Sequence, residues 1–202
     1  MITAAVELAD AEGEAGLTMR AIAGRLGVEA MSLYNHIGGR EDLLDGMVDA
    51  VFDEIELPAA GTDWKQAMRE RARSAREVLR RHPWAVGLLD SRSTPGPATL
   101  RHHDAVLGAL RGGGFSVSMA AHAFSLIDSY LYGFVLQESS LPFSDRAELD
   151  QVAGGILADQ PADAYPHLTE LITDYALRPE YSYADEFEFG LTLILDALRP
   201  DG

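Results

Sequence analysis

Cysteine is absent from this sequence of 202 residues, which excludes disulfide bridges and thiolate metal sites. Basic residues are few, because 16 Lys and Arg stand against 32 Asp and Glu and the formal net charge is −16. General attraction to phosphates therefore cannot hold a nucleic acid on this chain. Such a partner would need a few placed cations, helix N-termini and hydrogen bonds to base edges.

Long hydrophobic runs are also missing. The most apolar long stretch, residues 120–136, contains His122 and Asp128 and is shorter than the roughly 20 residues that cross a bilayer. The chain does not open with a leader of basic, apolar and small residues. We therefore expect a cytoplasmic protein without a membrane partner.

The motifs of common enzymes are missing as well. The sequence contains no Gly-x-Ser-x-Gly, Walker loop or His-Glu-x-x-His. A di-iron helical bundle needs Glu-x-x-His pairs, whereas His167-x-x-Glu170 has the reverse order and stands alone. His102 and His103 are adjacent, so on a helix they would point in different directions. We predict no catalytic residue, metal or cofactor, and keep a helical enzyme as an alternative.

Apolar residues recur at intervals of three and four along most of the chain, which is typical of amphipathic helices, and no strand pattern is present. The predicted fold class is all-α, with a small N-terminal three-helix domain and a larger helical domain. Helices are expected at residues 2–12, 18–26, 30–37, 40–55, 64–81, 83–89, 97–111, 117–138, 165–177 and 184–198, with one short helix through 149–152.

Residues 17–44 predict two short helices joined by a tight turn. Thr18 is suited to cap the first helix, which would bury Ile22 and Leu26, and Gly27 supplies the left-handed backbone of the turn. Val28 would fill the angle between the helices. The second helix would carry Met31, Leu33, Tyr34 and Ile37. This arrangement is a helix-turn-helix, whose second helix enters the major groove of DNA.

The same stretch resembles the DNA-binding domain of the TetR/AcrR family of bacterial repressors. The matching residues are Leu17-Thr18-Met19-Arg20, Ala23, Leu26-Gly27-Val28, Ser32-Leu33-Tyr34, His36-Ile37 and Arg40…Leu43-Leu44. Further on, His82-Pro83-Trp84 and Pro95-Gly96-Pro97 are similar to the tetracycline-repressor branch. The family implies a helix-turn-helix domain at 1–48, a connecting helix at 40–56 and a ligand-binding and dimerisation domain at 57–202.

The resemblance implies that Leu33 and Ile37 face the core while the rest of the second helix contacts DNA. Ser32 and Asn35 would hydrogen-bond base edges, and Ala30 and Met31 would touch thymine methyl groups. Tyr34, His36 and Arg40 would bind phosphates, and Arg20 would reach a guanine or a phosphate. The full predicted set is Thr18, Arg20, Ala30, Met31, Ser32, Tyr34, Asn35, His36 and Arg40. A capping or core histidine is the alternative for His36.

Charge is distributed unevenly between the predicted domains. Residues 1–49 contain three Arg and nine acids, so we expect weak non-specific affinity for DNA. The dense basic run lies on the predicted helix 64–81. We interpret it as a solvated face with intrahelical ion pairs, with a nucleic-acid patch as the alternative.

The family also implies a homodimer and a ligand pocket in the C-terminal domain. The helices around 127–136 and 187–195 would form the dimer interface, where Gly133 and Gly190 allow close approach. Candidate pocket residues are Trp84, Leu88, His102, His103, Phe124, Asp128, Tyr132 and Gln137, with simple packing as the alternative for each. Asp128-Ser129-Tyr130 occupies the segment where the tetracycline repressor has a histidine for drug-bound magnesium, so tetracycline is not the expected ligand.

These observations predict a ligand-responsive transcriptional repressor that binds a palindromic operator as a dimer. A small-molecule effector would favour another conformation and release the DNA, with residues 43–55 as the lever. The alternative from another class is an acidic helical protein that binds a protein partner, which only the net charge favours.

Overall fold

The computed structural model describes residues 1–59, 61–89, 92, 94–159, 161 and 164–202. Every regular element in these ranges is helical, which confirms the all-α prediction. The elements are α1 (Ile2–Gly16), α2 (Met19–Leu26), α3 (Ala30–Leu33), α4 (Arg40–Glu54), α5 (Trp64–Arg81), a 3₁₀ turn (Pro83–Ala85), α6 (Pro97–Gly112), α7 (Val117–Ser139), α8 (Arg146–Asp159), α9 (Pro166–Leu171) with a π turn (Ile172–Ala176), and α10 (Tyr183–Ala197).

Helices α2 and α3 form the predicted helix-turn-helix. The Thr18 hydroxyl accepts the Ala21 N–H at 3.1 Å and caps α2, and Gly27 ends α2 with φ of 69°. Leu26 is 39% exposed, so the prediction that it is buried was wrong, and Val28, which was expected to fill the angle between the helices, is 46% exposed. The reason is that α3 is a single turn and is too short to cover the end of α2.

The second helix is also shorter than predicted. Its α-helical part ends at Leu33, and the N–H groups of Asn35 and His36 donate three residues back, to Ser32 at 3.2 Å and Leu33 at 3.0 Å. Residues 34–36 therefore continue as tight turns. These residues lack the full hydrogen-bond ladder of an α-helix.

Helix α4 belongs to two hydrophobic cores. Its first half, through Met47, packs with Leu8, Ile22 and Leu33 in the N-terminal core. Its second half, from Val48, packs with helices α5, α6, α7 and α10 in the C-terminal core. The spacing of three and four along α4 produces this, because the two sets of apolar side chains follow one another along one helix.

Helix α5 lies in the centre of the C-terminal core. Ala67, Met68, Ala72, Ala75 and Leu79 form its buried stripe, which is the amphipathic pattern of the sequence. The basic run was expected to pair within the helix, and the structure shows instead that most of these cations reach acids on other helices. Examples are Lys65–Asp196 at 2.9 Å, Arg73–Glu188 at 2.7 Å and Arg81–Glu54 at 2.6 Å.

The segment after α7 is more helical than predicted. The expected short helix through 149–152 is the 14-residue α8. Two carboxylates hold its beginning, because Asp145 accepts the Glu148 N–H at 2.9 Å and Glu148 accepts the Ser144 N–H at 2.7 Å. The loops expected within 139–163 include residues 160, 162 and 163, and the linker expected at 58–61 includes residue 60. These four positions lie outside the described residues.

Helix α7 is long and apolar enough to cross a bilayer by length and composition alone. A helix at the centre of a folded domain meets the same criterion. Ile127, Leu131 and Val135 of α7 are buried in the C-terminal core, so its apolar stripe is already covered by neighbouring helices.

Candidate nucleic-acid interface and ligand sites

One face of α3 and its following turn is open to solvent. Leu33 is buried and fixes the element on the N-terminal core, while Met31 is 76% exposed. Tyr34, Asn35 and His36 are exposed as well, and Ala30 and Ser32 are half-buried. The predicted DNA-contacting residues of this element thus share one accessible surface.

Two hydroxyl groups at this surface already take part in hydrogen bonds within the protein. The Ser32 hydroxyl donates to the Glu29 carbonyl at 2.7 Å, so its hydrogen is already used within the helix. The Thr18 hydroxyl serves as the cap of α2. Because both oxygens keep acceptor capacity, they remain able to receive a hydrogen bond from DNA-bound water or a base amino group.

The three arginines of the N-terminal domain are placed differently. Arg40 donates to the Leu17 carbonyl at 3.0 Å and to Glu14 at 2.8 Å, and Arg25 pairs with Glu7 at 3.1 Å. The Arg20 side chain makes no ion pair within the part of the chain that the structure describes. Arg20 can therefore bind DNA without breaking an ion pair to a described residue.

A buried polar cluster joins α5, α6 and α7 in the C-terminal core. The Arg71 guanidinium, 1% exposed, donates through Nη1 to Asp128 and through Nε to Nε2 of His102 at 3.1 Å. The Tyr132 hydroxyl donates to the same carboxylate at 3.3 Å. This Arg71 cluster ties three helices together by charge-assisted hydrogen bonds.

The protonation state of His102 follows from its partner. A guanidinium only donates, so Nε2 of His102 accepts and the ring is neutral with its proton on Nδ1. Burial lowers the pKa of His102 to about 3, and the charges of Arg71 and His103 add to that. Two buried donor atoms, Nη2 of Arg71 and Nδ1 of His102, have no hydrogen-bond partner among the described residues.

The sequence-predicted pocket residues are partly gathered around this cluster. His102, Asp128 and Tyr132 belong to it, the Phe124 ring lies 5.3 Å from His103 and 6.0 Å from the Arg71 guanidinium, and His103 lies 5.5 Å from Phe52 of α4. Three others lie apart: Trp84 and Leu88 are half-buried beyond the end of α5, and Gln137 is exposed on α7.

Two cavities lie elsewhere in the described structure. The larger, of about 620 Å³, lies between the ends of α5 and α7 and the beginnings of α8 and α10, and none of the eight predicted pocket residues lines it. The smaller, of about 180 Å³, lies between α4 and the beginning of α6 and is lined by His103. Among the described residues, no three histidines or acids are grouped as metal ligands.

A joint between the two domains forms where α5 ends. Nδ1 of His82 lies 2.7 Å from Asp10 of α1, and Nε2 lies 3.2 Å from Glu54 of α4. The indole N–H of Trp84 donates to the same Asp10 oxygen at 2.7 Å. The segment His82–Trp84 therefore holds α1 and α4 together against α5.

Two family models match the chain, one in each domain. Residues 1–47 match the model of bacterial regulatory proteins of the tetR family, and residues 57–200 match the tetracyclin repressor-like C-terminal domain. The protein belongs to the TetR family. Its members are transcription regulators, which removes the enzyme alternative.

Individual relatives agree with this family. The TetR-family chain is 34% identical over 98% of its length to the transcriptional repressor DrrR1 of Streptomyces coeruleorubidus, covering 76% of that protein. It is 32% identical over 98% of its length to the class A tetracycline repressor of Escherichia coli, covering 88%. Among solved structures, Streptomyces coelicolor ActR in complex with actinorhodin matches with a TM-score of 0.80, 30% identity and coverage of 98% and 92%.

Three features of this TetR-family protein were missed by sequence reasoning. Arg71 was grouped with the solvated basic run, although its spacing from Met68 and Ala75 places it on the apolar stripe. That register indicates burial of Arg71. No sequence signal indicates the joint at His82 or the larger cavity, because both depend on how helices distant in sequence are placed.

Proposed function

We propose that this protein is a repressor that binds a palindromic operator as a homodimer in the cytoplasm and releases it when a small-molecule effector binds residues 57–202. The observation that carries the proposal is the open face of α3. Leu33 anchors this element from below, and Met31, Tyr34 and Asn35 point away from the core. We take residues 1–48 as the DNA-binding domain and the nine predicted residues as its contacts.

The proposed dimer uses the outer faces of α7 and α10. Leu126 and Leu136 on α7 and Phe189 and Leu193 on α10 are large apolar side chains exposed to solvent. A Cβ at Gly133 would meet nothing within 4 Å, so this position leaves room for a neighbouring helix. Apolar faces of this kind favour a self-complementary contact in a symmetric dimer, which would place two copies of α3 about 34–36 Å apart.

Gly190 contributes in a different way from Gly133. A Cβ there would lie 2.3 Å from the Tyr130 hydroxyl of the same chain. That hydroxyl donates to the carbonyls of Glu186 and Phe187, each at 3.0 Å. Gly190 therefore supports the proposed interface by letting Tyr130 bind α10 within one subunit, rather than by facing the partner.

The proposed effector response runs through α4. The Asp49 carboxylate of α4 accepts the N–H of Thr99 at 2.8 Å and its hydroxyl at 3.0 Å, so it caps the beginning of α6. Arg92 binds Glu41 of α4 at 2.8 Å. A ligand that shifts α6 would therefore move α4, which also belongs to the core beneath α3.

Two facts support an effector in the C-terminal domain. ActR is a TetR-family protein with a similar structure and is known in complex with actinorhodin. In the present chain, Nη2 of Arg71 and Nδ1 of His102 have no hydrogen-bond partner among the described residues and lie among the predicted pocket residues. An acceptor oxygen on a ligand would satisfy them.

The decisive experiment is fluorescence anisotropy with DNA from upstream of the protein's own gene. We expect specific binding that Asn35→Ala weakens and Gln151→Ala, an exposed amide on α8, leaves unchanged. Leu193→Glu should convert the dimer to a monomer in analytical ultracentrifugation and abolish operator binding. Leu100→Glu, at an exposed position of α6, should leave both the dimer and operator binding unchanged. Specific binding by a monomer, or no specific binding at all, would contradict the proposal.

A further inference from the structure

The larger cavity has the size of a ligand site. Its volume of about 620 Å³ falls within the range of about 300–1,000 Å³ that is usual for small-molecule pockets. It is separate from the Arg71 cluster, since none of the cluster residues lines it. The cavity therefore calls for its own ligand.

Apolar and aromatic side chains form part of the wall of this cavity, and charged residues and serines form much of the rest. Val135, Leu141, Phe143 and Leu149 line it. The ring of Tyr183, a further lining residue, stacks on Phe134 with centroids 5.1 Å apart and an angle of 28°. Aromatic rings in the wall favour a ligand that itself carries aromatic rings, because aromatic pairs gain offset-stacked or edge-to-face contacts.

Most charges around the cavity are already paired. Arg76 donates through Nε to Glu138 at 3.0 Å, Arg146 donates to the Leu177 carbonyl at 2.5 Å, and Glu148 accepts from the Ser144 hydroxyl at 2.8 Å. These groups shape the rim without attracting a particular ion. A ligand is thus selected by the polar groups that remain.

Among the described residues, three polar groups of the cavity make no side-chain hydrogen bond. The nearest acids to Arg80 are Glu77 at 3.7 Å and Glu138 at 3.9 Å, which are beyond hydrogen-bond distance. The hydroxyls of Tyr181 and Tyr183 make no hydrogen bond to any described residue. Burial raises the pKa of both tyrosines, so both remain donors at neutral pH.

We propose that this cavity is a second ligand site, which takes a planar aromatic molecule bearing carbonyl or phenolate oxygens on one edge. Arg80, Tyr181 and Tyr183 donate to the oxygen edge, and the apolar walls hold the rings. The proposal rests on the proposed function for its regulatory role, but the binding itself does not require DNA.

The cavity is connected to the DNA-binding domain through a single lining residue, Pro83. Pro83 lies between His82 and Trp84, which both bind Asp10 of α1. A ligand that displaces Pro83 would shift this joint and the position of α1. Occupancy of the cavity therefore changes operator affinity through Asp10, independently of the contact between α4 and α6.

The binding test uses isothermal titration calorimetry with 1,8-dihydroxyanthraquinone and the full-length protein. We expect saturable binding, weakened about 10-fold by Arg80→Gln because a charge-assisted hydrogen bond is lost, and about 3- to 10-fold by Tyr183→Phe. Arg101→Gln is the matched control, because Arg101 pairs with exposed Asp53 far from the cavity, and it should bind as the wild type does.

Three results would overturn this site. They are no saturable binding up to the solubility of the probe, unchanged affinity in both Arg80→Gln and Tyr183→Phe, and loss of binding in Phe124→Leu while Arg80→Gln binds normally. The last would place the probe at the Arg71 cluster. Circular dichroism confirms that each variant is folded before its affinity is compared.

The regulatory part is tested by operator affinity with saturating probe. We expect at least a 5-fold decrease in the wild type and no decrease in Asp10→Asn, which binds the probe but loses the charged joint. The proposed coupling through Asp10 is overturned if the probe still releases DNA from Asp10→Asn. It is also overturned if the probe binds without any effect on a functional operator complex. Failure of all operator binding with intact calorimetry overturns the proposed function instead.

Discussion

The two domains use charge in opposite ways. In the N-terminal domain the core is apolar, and Arg25 and Arg40 pair with Glu7 and Glu14 at the surface. In the C-terminal domain the pair Arg71–Asp128 lies inside the core. Exposed pairs contribute little to stability and can be exchanged for contacts with DNA, whereas a buried pair fixes the arrangement of its helices because neither partner can be left alone.

Removing one member of each pair should show the difference most clearly. Asp128→Ala leaves the Arg71 charge buried without a partner and should lower the free energy of unfolding by about 3–5 kcal/mol. Glu14→Ala should lower it by less than about 1 kcal/mol. Urea denaturation followed by circular dichroism measures both, and equal losses would refute the contrast.

The pH dependence of stability should locate the same cluster. His102 has a pKa of about 3 in the folded protein, against an ordinary value of 6.5. The unfolded chain therefore binds one more proton between these values, and stability falls as pH decreases from about 6.5 towards 3, by up to about 1.4 kcal/mol per pH unit. Above about 6.5 this contribution is constant.

His102→Gln isolates that contribution. Lowered pKa values of Glu54 and Glu188, held down by Arg81 and Arg73, also reduce stability at low pH, but they are present in the variant too. Unfolding free energies of both proteins, measured from pH 4 to 8, should converge as the pH falls. Parallel curves would show that folding does not lower the pKa of His102.

On the opposite domain, a surface change should alter function without altering stability. Asn35→Ala should weaken operator binding by about 1–3 kcal/mol, because a base contact is lost, and should change the unfolding free energy by less than about 0.5 kcal/mol. Anisotropy and urea denaturation measure the two. A stability loss that matches the affinity loss would mean that Asn35 supports the fold of α3.

The smallest effect is expected at Arg40. Arg40→Gln should reduce the slope of log affinity against log salt concentration by about 1 if this side chain leaves Glu14 to bind a phosphate. The matched variant Glu14→Gln removes the ion pair of Arg40 and should keep the wild-type slope. An unchanged slope in Arg40→Gln would mean that the pair with Glu14 persists on DNA.

Local signals predicted the N-terminal domain well. Capping by Thr18, the left-handed turn at Gly27 and the anchor Leu33 each depend on a few neighbouring residues, and each was confirmed. The length of α3 was overestimated, because apolar spacing does not show where a helix gives way to tight turns. DNA contacts of the exposed residues stay a prediction.

The polar interior could be predicted only in part. The register of Arg71 on α5 indicates burial, but nothing in the sequence indicates that Asp128, 57 residues later, lies beside it. The cavity is harder still, since four separate elements meet there. Sequence periodicity specifies which face of a helix is buried. Which buried faces contact one another is decided by tertiary packing.

Helix α4 has a further consequence for how the molecule comes apart. Met47 ends one core and Val48 begins the other on a continuous helix, so no flexible joint separates the cooperative units. Heating should melt both parts in a single transition, and amide protons around Ile22 should become slower to exchange when a ligand occupies the far end of the protein.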